Sequence, residues 1–221
     1  MSGTIRFILS LSILPAVIIG LIRFRKIDRS YHPFIFNIVL VLIIEIVHRV
    51  LLLTDYKQAI NILQNFFSII DFLLFLWLFH NWRLFNGSIR ILLIIVIFYL
   101  LAWVGTNFFL VGITKPNFYF LALYAGTLVF FSITTFGKII IQEQTYIFTN
   151  AKFWISLGVL IFYTFFIIIC ITQISLFNIK VSNAFQNYLQ RINVYCNLLA
   201  NILYAVAVLW IPQKKNYINL S

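Results

Sequence analysis

The sequence predicts an all-α integral membrane protein, a bundle of seven transmembrane helices with the N-terminus outside and the C-terminus in the cytoplasm. Three observations predict it: the composition, seven apolar segments, and an uneven distribution of basic residues. Of the 221 residues, 63% are hydrophobic and only 10% are charged, whereas a soluble domain is about half apolar and a quarter charged. The chain has too little polar surface to cover a water-soluble globule, so we expect much of its surface to face lipid.

Seven segments are long enough to cross a hydrocarbon core about 30 Å thick, which takes about 20 mostly apolar residues. These predicted spans are Thr4–Ile22, Pro33–Leu53, Ile60–His80, Ile89–Leu110, Phe118–Gly137, Phe153–Leu176 and Leu189–Trp210. The breaks carry boundary and turn residues such as Pro33, the Asn86-Gly87 pair and Pro212. All the breaks are too short to fold alone, so residues 1–221 are predicted to form a single transmembrane domain with no soluble domain.

The net charge of +11 predicts the orientation. Ten basic residues lie at the breaks on one side of the predicted bundle and five on the other, and the richer side should be cytoplasmic. Four residues of one break are expected to bind anionic lipid headgroups at that face: Arg23, Arg25, Lys26 and Arg29. Because the basic residues are dispersed over several breaks, the pattern argues against nucleic-acid binding. We expect a multi-pass protein of the cell membrane, the bacterial cytoplasmic membrane.

Three spans place polar side chains inside the membrane, where such groups are costly and usually face the bundle interior. In the second span Glu45, His48 and Arg49 share one face, because they are three and four residues apart. The third span carries Asn61, Gln64, Asn65, Ser68 and Asp71 as one stripe at helical spacing. The seventh span carries Arg191, Asn193 and Asn197 mostly on one face. If these faces meet, nine of these residues, all but Asn61 and Gln64, form an outward-facing pocket for a ligand or ion.

Asp71 carries most of this prediction. Its own span offers no cation within a turn of it, so we expect its carboxyl to be protonated, to bind an ion, or to meet Arg49, His48 or Arg191 from another helix. A structural alternative stays open for the remaining polar residues. Glu45 and Arg49 would then neutralise each other within one helix, and the asparagines would hydrogen-bond between helices.

Several chemistries are disfavoured by the residues present. No lysine lies midway along the seventh span, which excludes a retinal Schiff base. His48 is the one histidine deep in a span, too few for a haem or zinc site. Catalytic and phosphate-binding motifs are absent, and Cys170 and Cys196 are expected to be small packing residues. We therefore predict no cofactor and no metal, and the absence of a catalytic motif argues against an enzyme.

Three classes of function remain open. The first is a sensor or receptor-like subunit, in which a ligand in the pocket shifts helix packing and a membrane or cytoplasmic protein partner reads the shift through the loops 23–32 and 138–152 and the C-terminal tail. The second is a proton- or cation-coupled transporter or channel component; repeats and paired broken helices, which are typical of transporters, are not evident. The third is an accessory subunit of a larger membrane complex. Segment 177–188 is expected to lie on the outer surface as a short amphipathic piece.

Overall fold

A computed structural model describes residues 3–54, 56–142, 147–174 and 182–214. Within these ranges the regular structure is helical apart from one isolated bridge. The α-helices are α1 Gly3–Ser10, α2 Leu14–Arg23, α3 His32–Leu53, α4 Lys57–Asn81, α5 Ile89–Val104, α6 Phe118–Gln142, α7 Ala151–Gln173 and α8 Asn183–Trp210. Of the predicted segment 177–188, residues 177–181 lie outside the described residues, and 183–188 form the first turns of α8.

The predicted membrane-helix bundle is confirmed in its coarse form. Six helical segments are long and apolar enough to cross a membrane, and a seventh apolar helix, Phe7–Arg23, is shorter. The six segments are Arg29–Leu53, Lys57–Asn81, Ile89–Val111, Phe118–Ile141, Ala151–Gln173 and Ala184–Trp210. They coincide with the second to seventh predicted spans. The orientation in the membrane stays a prediction.

The first predicted span is a broken rod. A 3-10 turn, Leu11–Ile13, separates α1 from α2, and Pro15 lies in the first turn of α2. Proline has no N–H to continue the ladder, and its ring clashes with the carbonyl four residues earlier. The whole rod still extends along the bundle, because Phe7 lies beside Arg49 of α3 and Arg23 reaches the end of α8.

The helices form a closed arrangement in which the first rod packs against the last. Neighbouring pairs include α3 with α4, α6 with α7, and α7 with α8, while α2 packs against both α8 and α3. The second and third predicted spans, α3 and α4, thus lie side by side. Helix α5 lies at the periphery, with Ile94 and Leu101 each 67% exposed. Large apolar side chains on this face suit a lipid environment, not water.

We define two ends of the bundle by the chain segments found there. The C-terminal end holds residues 24–31, 82–88 and 211–214. The N-terminal end holds the region around Phe7, together with residues 112–117. A core of fully buried aromatic side chains extends from Phe34 and Phe79 in the C-terminal half, through Phe72 and Phe75, to Phe120 in the first turn of α6.

At the C-terminal end, Arg23 closes the last turn of α8. Its guanidinium donates hydrogen bonds to the carbonyl oxygens of Val208 at 2.5 Å, Leu209 at 2.6 Å and Ile211 at 3.2 Å. These carbonyls have no partner within the helix, and a cation there also opposes the negative end of the helix dipole. Arg23 therefore bonds within the protein, while the other three predicted headgroup contacts are exposed: Arg25, Lys26 and Arg29.

The chain leaving α8 pairs with the α2–α3 connection. Ile27 and Gln213 form an antiparallel bridge, and the amide of Lys214 donates to the carbonyl of Lys26 at 2.8 Å. The Asp28 carboxylate begins the 3-10 turn Arg29–Tyr31 by accepting from the Ser30 amide at 2.8 Å. This hydrogen bond holds the pKa of Asp28 below its usual value. The first and last helices are thus joined at one end of the bundle.

Replacing Arg23 with alanine is expected to fray the last turn of α8 and to lower the free energy of unfolding by about 1 to 2 kcal/mol, because three carbonyls lose a charged donor. Hydrogen exchange of the amides in 205–211 measures the fraying directly. Arg25→Ala is the matched control, since Arg25 is exposed and such substitutions usually change stability by less than about 0.5 kcal/mol. Equal exchange rates in the two variants would contradict the capping role.

Candidate intramembrane binding site

A cavity of about 530 Å³ lies between α1, α3, α4, α6, α7 and α8. Seven of the nine predicted pocket residues line it: Glu45, His48, Arg49, Ser68, Asp71, Asn193 and Asn197. The remaining two, Asn65 and Arg191, do not. The structure therefore brings the second, third and seventh predicted spans together around one space, and it adds walls from α6 and α7 that the polar pattern did not indicate.

Helix α3 supplies one wall at regular spacing. Its lining residues are Asn37, Ile38, Val41, Ile44, Glu45, His48, Arg49 and Leu52. These recur every three or four residues, the spacing of one helix face. Asn37 is 2% exposed, whereas Glu45, His48 and Arg49 are half-buried. The cavity is therefore enclosed near Asn37 and approaches the surface toward the N-terminal end of the bundle.

Asp71 lies in the enclosed part and is 1% exposed. One carboxylate oxygen accepts a hydrogen bond from Asn37 Nδ2 at 2.6 Å, and the other accepts from the Tyr163 hydroxyl at 2.5 Å. Three helices, α3, α4 and α7, meet at this carboxylate. Both partners are neutral, so they satisfy its oxygens without neutralising its charge.

The predicted cationic partners of Asp71 point elsewhere. The guanidinium carbon of Arg49 lies 5.6 Å from the centroid of the Phe7 ring, and that of Arg191 lies 5.9 Å from the centroid of the Tyr188 ring. His48 lies roughly 16 Å along α3 from Asn37, the residue that bonds to Asp71, at 1.5 Å per residue. No ion pair within 4.0 Å reaches Asp71 from any residue in the described ranges. Of the expected states of Asp71, pairing with a cation is not observed among the residues that the structure describes.

Glu45 and Arg49 do not form the intrahelical ion pair that the structural alternative predicts. Arg49 packs on Phe7 instead, and nothing within 4.0 Å pairs with the Glu45 carboxylate among the residues the structure describes. Both side chains line the cavity with His48. The half-buried end of the cavity thus carries a carboxyl group, a guanidinium group and an imidazole.

Asn65 serves a different part of the protein. Its Nδ2 donates to the carbonyls of Ile113 and Lys115, each at 2.9 Å, and its Oδ1 accepts from the Asn117 amide at 3.3 Å. Asn65 therefore holds the α5–α6 connection against α4. That connection follows a π-helical segment, Gly105–Val111, and turns at Gly112, whose φ is +92°.

The stripe predicted on the third span is therefore two adjacent rows. One row, Asn61 and Asn65, faces residues 112–117, and Asn61 donates to the Thr114 carbonyl at 2.9 Å. The other row lines the cavity and consists of Gln64, Ser68 and Asp71. At about 100° per residue, positions 65 and 71 are about 120° apart around the helix. A spacing of three or four residues shows that side chains lie on the same half of a helix. It does not show whether they contact the same neighbouring element.

Helix α8 contributes polar groups along the whole cavity. Asn201 donates to the Ser12 hydroxyl at 2.9 Å and so links α8 to the 3-10 turn of the first rod. Asn193 Oδ1 is buried and has no hydrogen-bond partner in the described part of the chain. An unpartnered acceptor beside a cavity is a group that a ligand or a water with a free N–H or O–H can satisfy.

Aromatic side chains close the cavity at its enclosed end. Phe75, Tyr124, Phe162, Tyr163, Phe166 and Tyr204 all line it. The centroid of the Tyr163 ring lies 5.7 Å from that of Tyr124 and 6.1 Å from that of Phe75. The buried Phe79 lies beyond Phe75, with the two ring centroids 6.5 Å apart. This aromatic packing separates Asp71 from the C-terminal end of the bundle.

Tyr163 was not among the predicted site residues. Tyrosine is common in apolar spans as a packing or interfacial residue, so its presence carries no signal of its own. Asn37 was visible as a polar residue in the second span, but its pairing with Asp71 depends on the relative rotation of two helices. Cys170 and Cys196 are both buried free thiols. Within the described ranges, no group of three or more His, Cys, Asp or Glu side chains is arranged to hold a metal ion.

The chain matches no protein-family model, and it has no significant match among curated proteins or solved structures.

Proposed function

We propose that this chain is a seven-helix, receptor-like membrane subunit that binds a small ligand in the cavity and passes a change in helix packing to a protein partner. The observation that carries the proposal is the 530 Å³ cavity with the buried Asp71 carboxylate at its enclosed end. Cavities of about 300 to 1,000 Å³ with apolar walls and a few placed polar groups are typical of small-molecule sites. An intramembrane carboxylate is costly to keep unless it serves a purpose.

The enclosed end of the cavity favours binding over free conduction. The aromatic packing around Phe75 and Phe79 lies between Asp71 and the C-terminal end. A channel needs a polar path that continues through the bundle, and here the polar lining stops at Asp71 and its partners. A ligand that enters from the N-terminal end therefore meets a closed floor.

Tyr204 provides a route from the cavity to the C-terminal end. It lines the cavity, contacts Phe34 of α3 with ring centroids 5.3 Å apart, and packs over Gly158 of α7. Because Tyr204 lies on α8, a ligand that displaces its ring shifts α8 relative to α3 and α7. Such coupling through packed side chains requires two alternative arrangements of one element.

The end of α8 is joined to the predicted partner-binding loop. Arg23 holds the last carbonyls of α8, and residues 26–28 pair with 212–214. A displacement of α8 is therefore transmitted to the segment 23–32, where Arg25, Lys26 and Arg29 are exposed. We expect the partner to carry acidic groups and, with this end cytoplasmic, to bind from the cytoplasm.

Ligand-induced stabilisation in lipid nanodiscs tests the binding step. A panel of cationic, neutral and anionic organic compounds with about 10 to 20 non-hydrogen atoms is expected to contain at least one class that raises the unfolding temperature by several degrees. Ala200→Trp should abolish the stabilisation because the larger side chain occupies the cavity. Ala200 lines the cavity and is 1% exposed. Leu199→Trp is the matched control, since Leu199 is 44% exposed on the outer face of α8. Equal stabilisation of both variants would contradict binding in the cavity.

Spin labels at Lys26 and Arg90, both exposed, test the transmission step. A receptor-like subunit should change the distance between the two labels when the stabilising compound binds.

A second candidate, a cation-coupled transporter, is favoured by the single acid at the enclosed end of the cavity. It predicts uptake of that compound into liposomes that contain this chain alone. Binding with neither a distance change nor uptake would favour an accessory subunit and contradict both.

A further inference from the structure

We infer that the ligand of this cavity is an organic ammonium ion with an apolar body, its charge held at Asp71. The inference rests on the proposed function, because it names the ligand class of the same cavity. It follows from four properties of the enclosed end: the charge, the free acceptor positions, the aromatic walls and the size.

The enclosed end holds one acidic side chain, Asp71, and no basic side chain from the described residues. The groups that face it are neutral on every neighbouring element: Ser10 on α1, Asn37 on α3, Ser68 on α4, Tyr124 on α6, Tyr163 on α7, and Asn201 and Tyr204 on α8. The basic residues of the cavity lining are His48 and Arg49, near its other end. A cation that enters reaches a carboxylate that the chain leaves without a counter-ion.

The carboxylate retains room for further donors. A carboxylate offers about four lone-pair positions, and the hydrogen bonds from Asn37 and Tyr163 occupy one on each oxygen. An ammonium N–H can use the remaining positions, and a hydrogen bond between two charged groups is roughly twice as strong as one between neutral groups. Asn37 and Tyr163 would then fix the direction in which the carboxylate presents those positions. The unpartnered Asn193 Oδ1 is a further acceptor along the wall.

The walls around Asp71 suit an organic cation. Eight phenylalanine and tyrosine side chains line the cavity: Phe7, Phe67, Phe75, Tyr124, Phe162, Tyr163, Phe166 and Tyr204. The face of an aromatic ring attracts an ammonium group within about 6 Å, and more strongly where water is excluded. The remaining walls are aliphatic, with Val41, Ile44, Leu63 and Leu121 among them. These side chains favour an apolar body attached to the charge.

The size of the cavity argues against an inorganic ion as the natural ligand. A volume of about 530 Å³ is more than ten times the roughly 30 Å³ that one water molecule occupies in the liquid. A bare metal ion would bring only water to fill the rest, against largely apolar walls. No cluster of three acidic, histidine or cysteine side chains is available for it among the described residues.

The test compares two probes that differ in charge and little in shape, 4-phenylbutylammonium and 4-phenylbutan-1-ol. Isothermal titration is performed on the full chain in nanodiscs, with empty nanodiscs to subtract partitioning into lipid. The wild type is expected to bind the ammonium probe at least about tenfold more tightly than the alcohol, as one charge-assisted contact predicts. Asp71→Asn should bind the two probes equally, because the amide keeps hydrogen bonds to Asn37 and Tyr163 but not the charge. Glu45→Gln, which neutralises the other acid of the cavity lining, should keep the preference.

A second measurement does not depend on the folding of Asp71→Asn. The difference infrared spectrum of the wild type should show a shifted carboxylate band with the ammonium probe and no such shift with the alcohol, and Glu45→Gln should retain the shift. Equal affinities of the wild type for both probes, or a preference that survives in Asp71→Asn, would overturn the inference. If instead the alcohol or the carboxylate analogue 5-phenylpentanoate binds better, and Ala200→Trp abolishes that binding, the proposed function stands and the cationic ligand is wrong. Failure of every probe and of the wider panel to bind would overturn both.

Discussion

Gly158→Ala is expected to lower the free energy of unfolding by about 1 to 3 kcal/mol and to weaken ligand binding in the cavity. A Cβ at this position would lie 2.5 Å from Cε1 and 3.0 Å from Cδ1 of Tyr204. The Tyr204 ring also contacts Phe34 and lines the cavity, so a ring displaced by the new methyl group would disturb both. Thermal or denaturant unfolding in detergent measures the first effect, and titration with the ammonium probe measures the second.

Gly126→Ala is the matched control for this prediction. Gly126 lies in α6, and a Cβ there would meet nothing within 4 Å. Alanine is intrinsically favoured over glycine in a helix by up to about 1 kcal/mol, so the control should gain stability where Gly158→Ala loses it. The double variant Gly158→Ala with Tyr204→Leu should recover part of the loss, because the clashing ring is gone. If the losses in free energy of unfolding of the two single variants simply add in the double variant, a clash with Tyr204 is not the cause of the Gly158→Ala effect.

Asn65→Ala is expected to destabilise the protein by about 3 kcal/mol, since two carbonyls and one amide lose their partner and each unsatisfied buried group costs about 1 to 3 kcal/mol. Asn65 is 1% exposed, and its partners Ile113, Lys115 and Asn117 hold the α5–α6 connection. Equilibrium unfolding measures the loss. Hydrogen exchange in 112–117 should rise in parallel.

Asn61→Ala provides the control on the same helix. Asn61 bonds to the same connection through the Thr114 carbonyl, but that hydrogen bond is exposed, so water replaces it and the loss should stay below about 1 kcal/mol. Neither variant should change the affinity of the folded protein for the ammonium probe, because neither side chain lines the cavity. A large change in the affinity of folded Asn65→Ala for the probe would show that Asn65 is part of the binding site after all.

The membrane helices were predictable because the bilayer imposes one length and one composition on each of them. Apolar runs of about 20 residues mark such helices whatever their neighbours are. The break at Pro15 was visible for the same reason, since a proline acts through its own backbone. The burial of Asp71 was also predictable, because a carboxylate in the middle of an apolar span has few other places to lie.

The partners of these helices were less predictable, because they depend on rotations and close approaches that no single span encodes. Tyr163 became a partner of Asp71 through the placement of α7, and that placement depends on Gly158 accepting the Tyr204 ring. Asn65 and Ser68 are three residues apart, yet one holds a loop and the other lines the cavity. Their separation is an angle of about 60° around the helix, smaller than the width of a polar face.

The hydrogen bond from Tyr163 to Asp71 joins residues 92 positions apart in the chain, and this has a consequence for biosynthesis. At roughly 5 to 20 residues per second, the ribosome delivers Tyr163 about 5 to 20 seconds after Asp71. Asn37, by contrast, precedes Asp71 and is already available when α4 leaves the ribosome. Within the hairpin of α3 and α4, the Asn37 amide can therefore satisfy one oxygen of the acidic group before α7 has been synthesised.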